Sequence, residues 1–191
     1  AVTLVAPAAG EAILTVQGGN LTADGGSSAG IYYDKLDGNV PSDDRRYLRI
    51  ANNSVVRTNR LAHATGLSVQ IQYSASSGGI YMSNGDGIVY GPMKLQEHFE
   101  IGEGESLNIP SGASLTIGSG ATLTNEGTVT TTDGGTLINN GKIENSGTLP
   151  SDIKGNPPPT ITTTSLDGGT VGTAYSATLA ANNATSWSLV T

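Results

Sequence analysis

The chain has 191 residues, of which 27 are glycine, 36% hydrophobic, 13% charged and 5% aromatic. That stock is poor in the Leu, Glu, Lys and Arg from which helices are made, and it favours an all-β fold. A formal net charge of −7 with nine scattered Lys and Arg argues against a nucleic-acid partner, and the absence of Cys excludes disulfides, thiolate metal sites and Cys nucleophiles.

The opening AVTLVAPAAGEAILTV lacks the positive n-region of a signal peptide, and no run is long and apolar enough to span a bilayer, so no membrane insertion is expected. Residues 1–12 are the natural cap of whatever follows. Leu14-Thr-Val-Gln-Gly-Gly-Asn-Leu21 resembles Leu48-Arg-Ile-Ala-Asn-Asn-Ser-Val55, each an aliphatic pair at i, i+2 followed by a small polar corner. Gly26-Ser-Ser-Ala-Gly-Ile-Tyr-Tyr33 is similar to Ala75-Ser-Ser-Gly-Gly-Ile-Tyr-Met82. These echoes predict coils of one solenoid with longer excursions at 34–46 and 58–66. Residues 94–100 read as an irregular strand and not a helix.

From residue 105 the pattern tightens. Leu107, Leu115 and Leu123 recur at eight residues, with Ile109 and Ile117 two behind the first two. The frame Asn-x-Gly-x-aliphatic then appears at 125–129, 139–143 and 145–149. In a strand, residues i and i+2 share a face, so Leu-x-Ile sends two aliphatics inward and a Thr or Asn outward. Gly then turns the chain because it accepts left-handed backbone angles, and Asn tolerates them. Short strands and corners repeated without helices predict a β-solenoid that buries a narrow aliphatic column, with stacked Asn side chains bonding along the ladder. Residues 1–150 are read as one such domain, a right-handed parallel β-helix by the crossover rule. The run Asn156-Pro-Pro-Pro159 marks 151–160 as a Pro-rich linker, and 161–191 alternates as strands again.

Two stretches carry resemblances. Gly87-Ile-Val-Tyr-Gly91 through Ile101-Gly-Glu-Gly-Glu-Ser-Leu-Asn-Ile-Pro-Ser-Gly-Ala-Ser-Leu-Thr-Ile117, continuing into the Asn-x-Gly copies, resembles repeat regions of large bacterial adhesin-like surface proteins. That resemblance implies parallel β-helices displayed outside the cell. Ile161 to Ala181, with Trp187-Ser-Leu189, is similar to the beginning of a bacterial immunoglobulin-like repeat, although Asp167 stands where that repeat has Pro. The segment is expected to be partial, roughly a third of the ~100 residues of an Ig-type sandwich.

Chemistry-bearing clusters are sparse. Asp43 and Asp44, followed by Arg45, Arg46 and Tyr47, form the densest charged group. Adjacent carboxylates point to opposite faces of an extended chain, which suits a solvated loop better than the facing pair of a glycosidase. His63 and His98 have no Glu or His at ligand spacing, and Ser83-Asn-Gly-Asp-Gly87 offers too few oxygens for a calcium loop. No enzyme activity, metal or cofactor is expected. Tyrosines at 32, 33, 47, 73, 81 and 90 are the better signal, because a sugar ring stacks its C–H patch on an aromatic face. They equally suit packing at the ends of an aliphatic column.

The sequence therefore leads to a non-catalytic display and adhesion module of a larger extracellular surface protein. Its ligand-binding residues are expected at Tyr32, Tyr33, Asp43, Asp44, Arg45, Arg46 and Tyr47, with a glycan or a host cell-surface molecule as partner. Two alternatives stand beside it: a glycan-binding or carbohydrate-processing β-helix, and a fibre subunit that self-associates through its C-terminal strands.

Overall fold

A computed structural model describes residues 2–6, 11–25, 29–35, 45–63 and 69–184, and among them there is no helix. The strands wind as three-sided β-solenoids, one strand to a side. In the N-terminal prism, β1 (Val2–Ala6), β2 (Glu11–Gln17) and β3 (Asn20–Ala23) make the first winding. The second consists of β4 (Ile31–Lys35), β5 (Arg45–Ala51) and β6 (Ser54–Thr58), and the third of β7 (Leu61–His63), β8 (Val69–Gln72) and β9 (Gly79–Ser83). The C-terminal prism starts with β10 (Asp86–Tyr90), β11 (Pro92–Leu95) and β12 (Phe99–Ile101). It continues with β13 (Ser106–Ile109), β14 (Ser114–Ile117), β15 (Thr122–Asn125), then β16 (Thr128–Thr131), β17 (Thr136–Asn139), β18 (Lys142–Asn145). A fourth winding begins with a bridge from Thr148 to Thr128 and with β19 (Ile153–Lys154).

The eight-residue beat is the step from one side of the prism to the next. Leu107, Leu115 and Leu123 sit on β13, β14 and β15 and face a common centre with no exposure. Their stacking partners lie one winding away: Leu107 on Val129, Leu115 between Met93 and Leu137, Leu123 between Phe99 and Ile143. Burial alternates along β13, β14 and β15, with the aliphatics enclosed and Thr, Ser or Asn more exposed, except that Asn125 is buried. The echo between Leu14-Thr-Val16 and Leu48-Arg-Ile50 is a true stack, in register across β2 and β5.

The Asn-x-Gly frame has a different origin from the one the sequence suggests. Gly127, Gly141 and Gly147 do not carry left-handed angles; a Cβ there would lie 2.2, 2.3 and 2.1 Å from the carbonyl oxygens of Glu105, Gly118 and Gly127. These corners need glycine because the preceding winding passes too close for a side chain. The Asn ladder does form: Asn125 Nδ2 donates to Asn145 Oδ1 at 2.6 Å and to the Thr148 carbonyl at 2.9 Å. The ladder begins there because the position below Asn125 is Ile101, which leaves Asn125 Oδ1 buried with no donor.

One sheet runs through both prisms in the order β3-β6-β9-β10-β13-β16. All its pairings are parallel except β9 with β10, a hairpin whose turn residues Asn84 (φ 53°) and Gly85 (φ 87°) both have positive φ. Asn-Gly is the pair that a two-residue turn of this twist prefers, so Ser83-Asn-Gly-Asp86 is a hairpin turn. Val56 and Tyr81 pack into the N-terminal core, whereas their neighbours Val55, Ile80 and Met82 pack into the C-terminal one. The prisms thus lie on opposite faces of the shared sheet. Reversing strand direction and exchanging the enclosed face together leave both wound with the same hand. Because both faces of β9 are covered, Gly79 to Met82 are all buried, and the consecutive apolar residues of Val55-Val56 and Ile80-Tyr81-Met82 follow from that.

Three expectations need correction. The echo between residues 26–33 and 75–82 is not a stack, since β4 with Tyr32 lies in the side β1-β4-β7 and β9 with Tyr81 in the shared sheet. The excursion placed at 58–66 contains Thr58 at the end of β6 and all of β7, while 36–44 and 64–68 lie outside the described residues. The tail shows only two-residue strands, β20 (Thr160–Ile161) and β21 (Ala181–Asn182), paired antiparallel. Ile161, Leu166, Val171, Tyr175 and Leu179 are all exposed there, so this segment holds no core among the described residues.

Candidate functional site

Of the concavities among the described residues, two bring together the most distinctive side chains. The first is a notch of about 480 Å³ where the outer face of β3 and β6 meets the edge of β12. Val55 and Phe99 are its apolar walls, and Arg57 crosses it. The Arg57 guanidinium lies 5.0 Å from the Phe99 ring centroid, pairs with Glu105 at 2.8 Å and donates to the Glu100 carbonyl. These contacts tie the N-terminal prism to the first winding of the C-terminal one, so Arg57 acts as a clamp. Beside it, Asn53 Oδ1 accepts from the Lys94 amide at 2.7 Å, covering part of the open edge of β11.

The second is a cleft of about 670 Å³ on the outer face of β2, β5 and β8. Strand parity puts Leu48, Ile50 and Ile71 toward the core and Arg49 and Gln72 outward, and the β5–β8 register sets these two side by side. Arg49 donates to Gln72 Oε1 at 3.0 Å. After β8 the chain doubles back in a tight loop, Ser74 pairing with Ser77, and Ser77 Oγ donates to Asn52 Oδ1 at 3.1 Å. Gln17, Asn52, Ser74, Ser76 and Ser77 add amides and hydroxyls to the lining, which also includes Ile50, Ala51 and Ile71.

Tyr73 is the aromatic of this cleft and is 50% exposed. Its ring lies 5.6 Å from that of Tyr90 at a 52° tilt. It also rests on Gly91, whose φ is 62° and where a Cβ would stand 2.8 Å from the Tyr73 ring. The ring is thus backed by protein on one side while half of it meets solvent. Burial, with the neighbouring Tyr81 and Tyr73 phenols adding to it, pushes the Tyr90 phenol above its ordinary range. Burial raises Tyr81 as well, against a hydrogen bond with Ser83.

Of the residues predicted for ligand binding, Tyr32 and Tyr47 line neither concavity. Tyr32 is half-buried on β4, on a different side of the prism from β5. Tyr33, Arg45 and Arg46 occupy strand positions in β4 and β5, and Asp43 and Asp44 lie outside the described residues. Tyr47 is 8% exposed, too enclosed to offer a ring face to a sugar. Tyr73 and its ring partner Tyr90 belonged to the tyrosine set noted in the sequence, but the other residues of the cleft did not. Extending the Leu14/Leu48 echo by one winding, to Val69-Gln-Ile71, would have placed Arg49 beside Gln72 and drawn the cleft.

Among the described residues no group of three or more His, Asp or Glu is arranged to hold a metal ion, and no helix is long and apolar enough to cross a membrane. Fold and site together define a three-sided β-solenoid with a polar, tyrosine-floored cleft on its flank. No family model, curated protein or solved structure matches the chain significantly.

Proposed function

We propose that this chain is a non-catalytic display and attachment module of a larger extracellular bacterial surface protein. The observation that carries the reading is the solenoid itself: a close-packed aliphatic column with Leu107, Leu115, Leu123 and Leu137 fully enclosed, sheathed in short polar-faced strands. Such a column is stiff and long for its mass and holds loops and clefts on its flank at fixed spacing. Glu100 and Glu105 line the junction notch and Glu105 lines a neighbouring concavity with Asp24, but in both places Glu105 is held by Arg57. That favours attachment over carbohydrate processing. The labelled chain should be retained on polysaccharide-coated or host-cell surfaces and should release no new reducing ends from polysaccharides during prolonged incubation. Steady release of cleavage products would replace this reading with the enzymatic one, and failure to be retained on any such surface would remove it.

A second reading, a fibre subunit, draws on the exposed apolar residues Ile161, Leu166, Val171, Tyr175 and Leu179. Strand edges without partners invite pairing with another chain. Deleting residues 160–191 should then convert a concentration-dependent oligomer into a monomer in light scattering, and identical masses with and without the tail would rule the fibre out.

A further inference from the structure

We propose that the cleft floored by Tyr73 is a saccharide subsite, and that the sugar it takes is a pyranose bearing a carboxylate, a uronate unit of an acidic polysaccharide. Three features converge on this chemistry. Tyr73 supplies a half-exposed ring with its back fixed against Gly91 and Tyr90, so stacking a pyranose C–H face on it immobilises nothing that is not already held. Around it stand Gln17, Asn52, Gln72 and the Ser74–Ser77 loop, groups that both donate and accept and therefore suit hydroxyls of mixed orientation.

The third feature sets the charge. Among the described residues, Arg49 is the only charged one lining the cleft, in a chain of net charge −7. Its bond to Gln72 Oε1 engages Nη2 and ties the guanidinium to its neighbour on β8. A guanidinium has five donors, and a carboxylate is the partner that matches two of them at once. Neutral sugars would leave that cation unused, and cationic ones would be repelled by it. Arg57, by contrast, is occupied by Glu105, Glu100 and Phe99, which is why the junction notch does not carry the same inference.

The site would give the attachment reading its ligand and rests on that reading for its biological sense, while its test is independent. Titration calorimetry of the whole chain would use short oligomers of galacturonate, mannuronate and hyaluronate, with methyl-esterified oligogalacturonate as the uncharged control. At least one acidic oligomer is expected to bind, with weakening as salt is raised and with the methyl ester about tenfold weaker. Tyr73→Ala should lower affinity about tenfold or more, whereas Tyr73→Phe should hold it within about threefold. Arg49→Gln should remove the preference for acid over ester and leave the ester's own affinity unchanged.

No binding of any acidic oligomer up to about 10 mM overturns the assignment, as does equal affinity for acid and ester, or indifference to Tyr73→Ala. Should the oligomers fail while the chain is still retained on cell surfaces, the cleft is wrong and attachment stands. Loss of surface retention by the unaltered chain would instead remove the attachment reading.

Discussion

The two prisms are built on one plan from unequal material. In the C-terminal prism, register partners lie 20 to 24 residues apart over its three complete windings. In the N-terminal prism the spacing ranges from 23 to 35. The tight spacing leaves room only for strand and corner, so nearly every inward side chain from Phe99 to Leu137 is fully enclosed. The loose spacing carries extra chain between strands, and Leu14, Val16, Leu21, Val69 and Ile71 remain only partly buried. Regularity buries a column efficiently; irregularity leaves outward residues such as Arg49, Gln72 and Tyr73 to form a cleft. The candidate binding surface lies on the looser prism for that reason.

The sharpest way to break this contrast is to empty one position in each column. Leu115→Ala, at a fully enclosed site, should lower unfolding free energy by about 2–5 kcal/mol in urea titration, and Leu14→Ala by well under that. Equal losses would mean that the two columns pack alike.

Corners come next. Gly141→Ala would place a Cβ 2.3 Å from the Gly118 carbonyl, and the winding must shift at a loss of about 1–3 kcal/mol. Gly112→Ala, with φ at 75° and nothing within 4 Å, should lose only about 1 kcal/mol, from backbone strain alone. A reversed order would show that turn conformation and not winding approach selects glycine in the Asn-x-Gly frame.

A smaller effect is expected at the seam. Arg57→Ala removes an ion pair whose side chains are 30% and 26% exposed, together with the contact on Phe99. Stability should fall by about 1 kcal/mol or less, with faster amide exchange confined to β12 and the adjoining face of β6. Global acceleration across the C-terminal prism would mean that the clamp supports the whole fold.

The smallest change lies on the solvent face of β18, where Lys142 bonds Glu144 and, first by that bond and then by its charge, holds the carboxyl below its usual value. Lys142→Gln should return the Glu144 titration toward the ordinary carboxylate range in an NMR pH series. A depressed carboxyl contributes in full above its unfolded value, and that contribution is lost as pH falls from there through the folded one. The variant should therefore differ from the parent above the carboxylate range and converge with it in acid.

The β-solenoid, its column and its Asn ladder were legible because they are properties of spacing. Leu107, Leu115 and Leu123 repeat at a fixed step, and strand alternation fixes which residues face in. The hairpin at Asn84-Gly85 is equally legible, since Asn-Gly between apolar runs is a local turn signal, although the stretch was weighed only as a calcium loop and set aside. The cleft was much less so. Arg49 and Gln72 are 23 residues apart, Gln17 and Ser77 still further, and none has a motif of its own. Only the register of β2, β5 and β8 brings them to one surface.

Sequence alone determined that this chain would coil into short strands around aliphatic side chains, because alternation and periodic corners are local and every winding repeats them. Tertiary structure decided that the coil divides into two prisms on opposite faces of a shared sheet. It also decided that Gly127, Gly141 and Gly147 answer to the winding below them, and that Tyr73 lies open beside Arg49 while Tyr47 is enclosed. Those outcomes depend on which strand lies next to which, and neighbours along the solenoid axis are separated in sequence by a full winding.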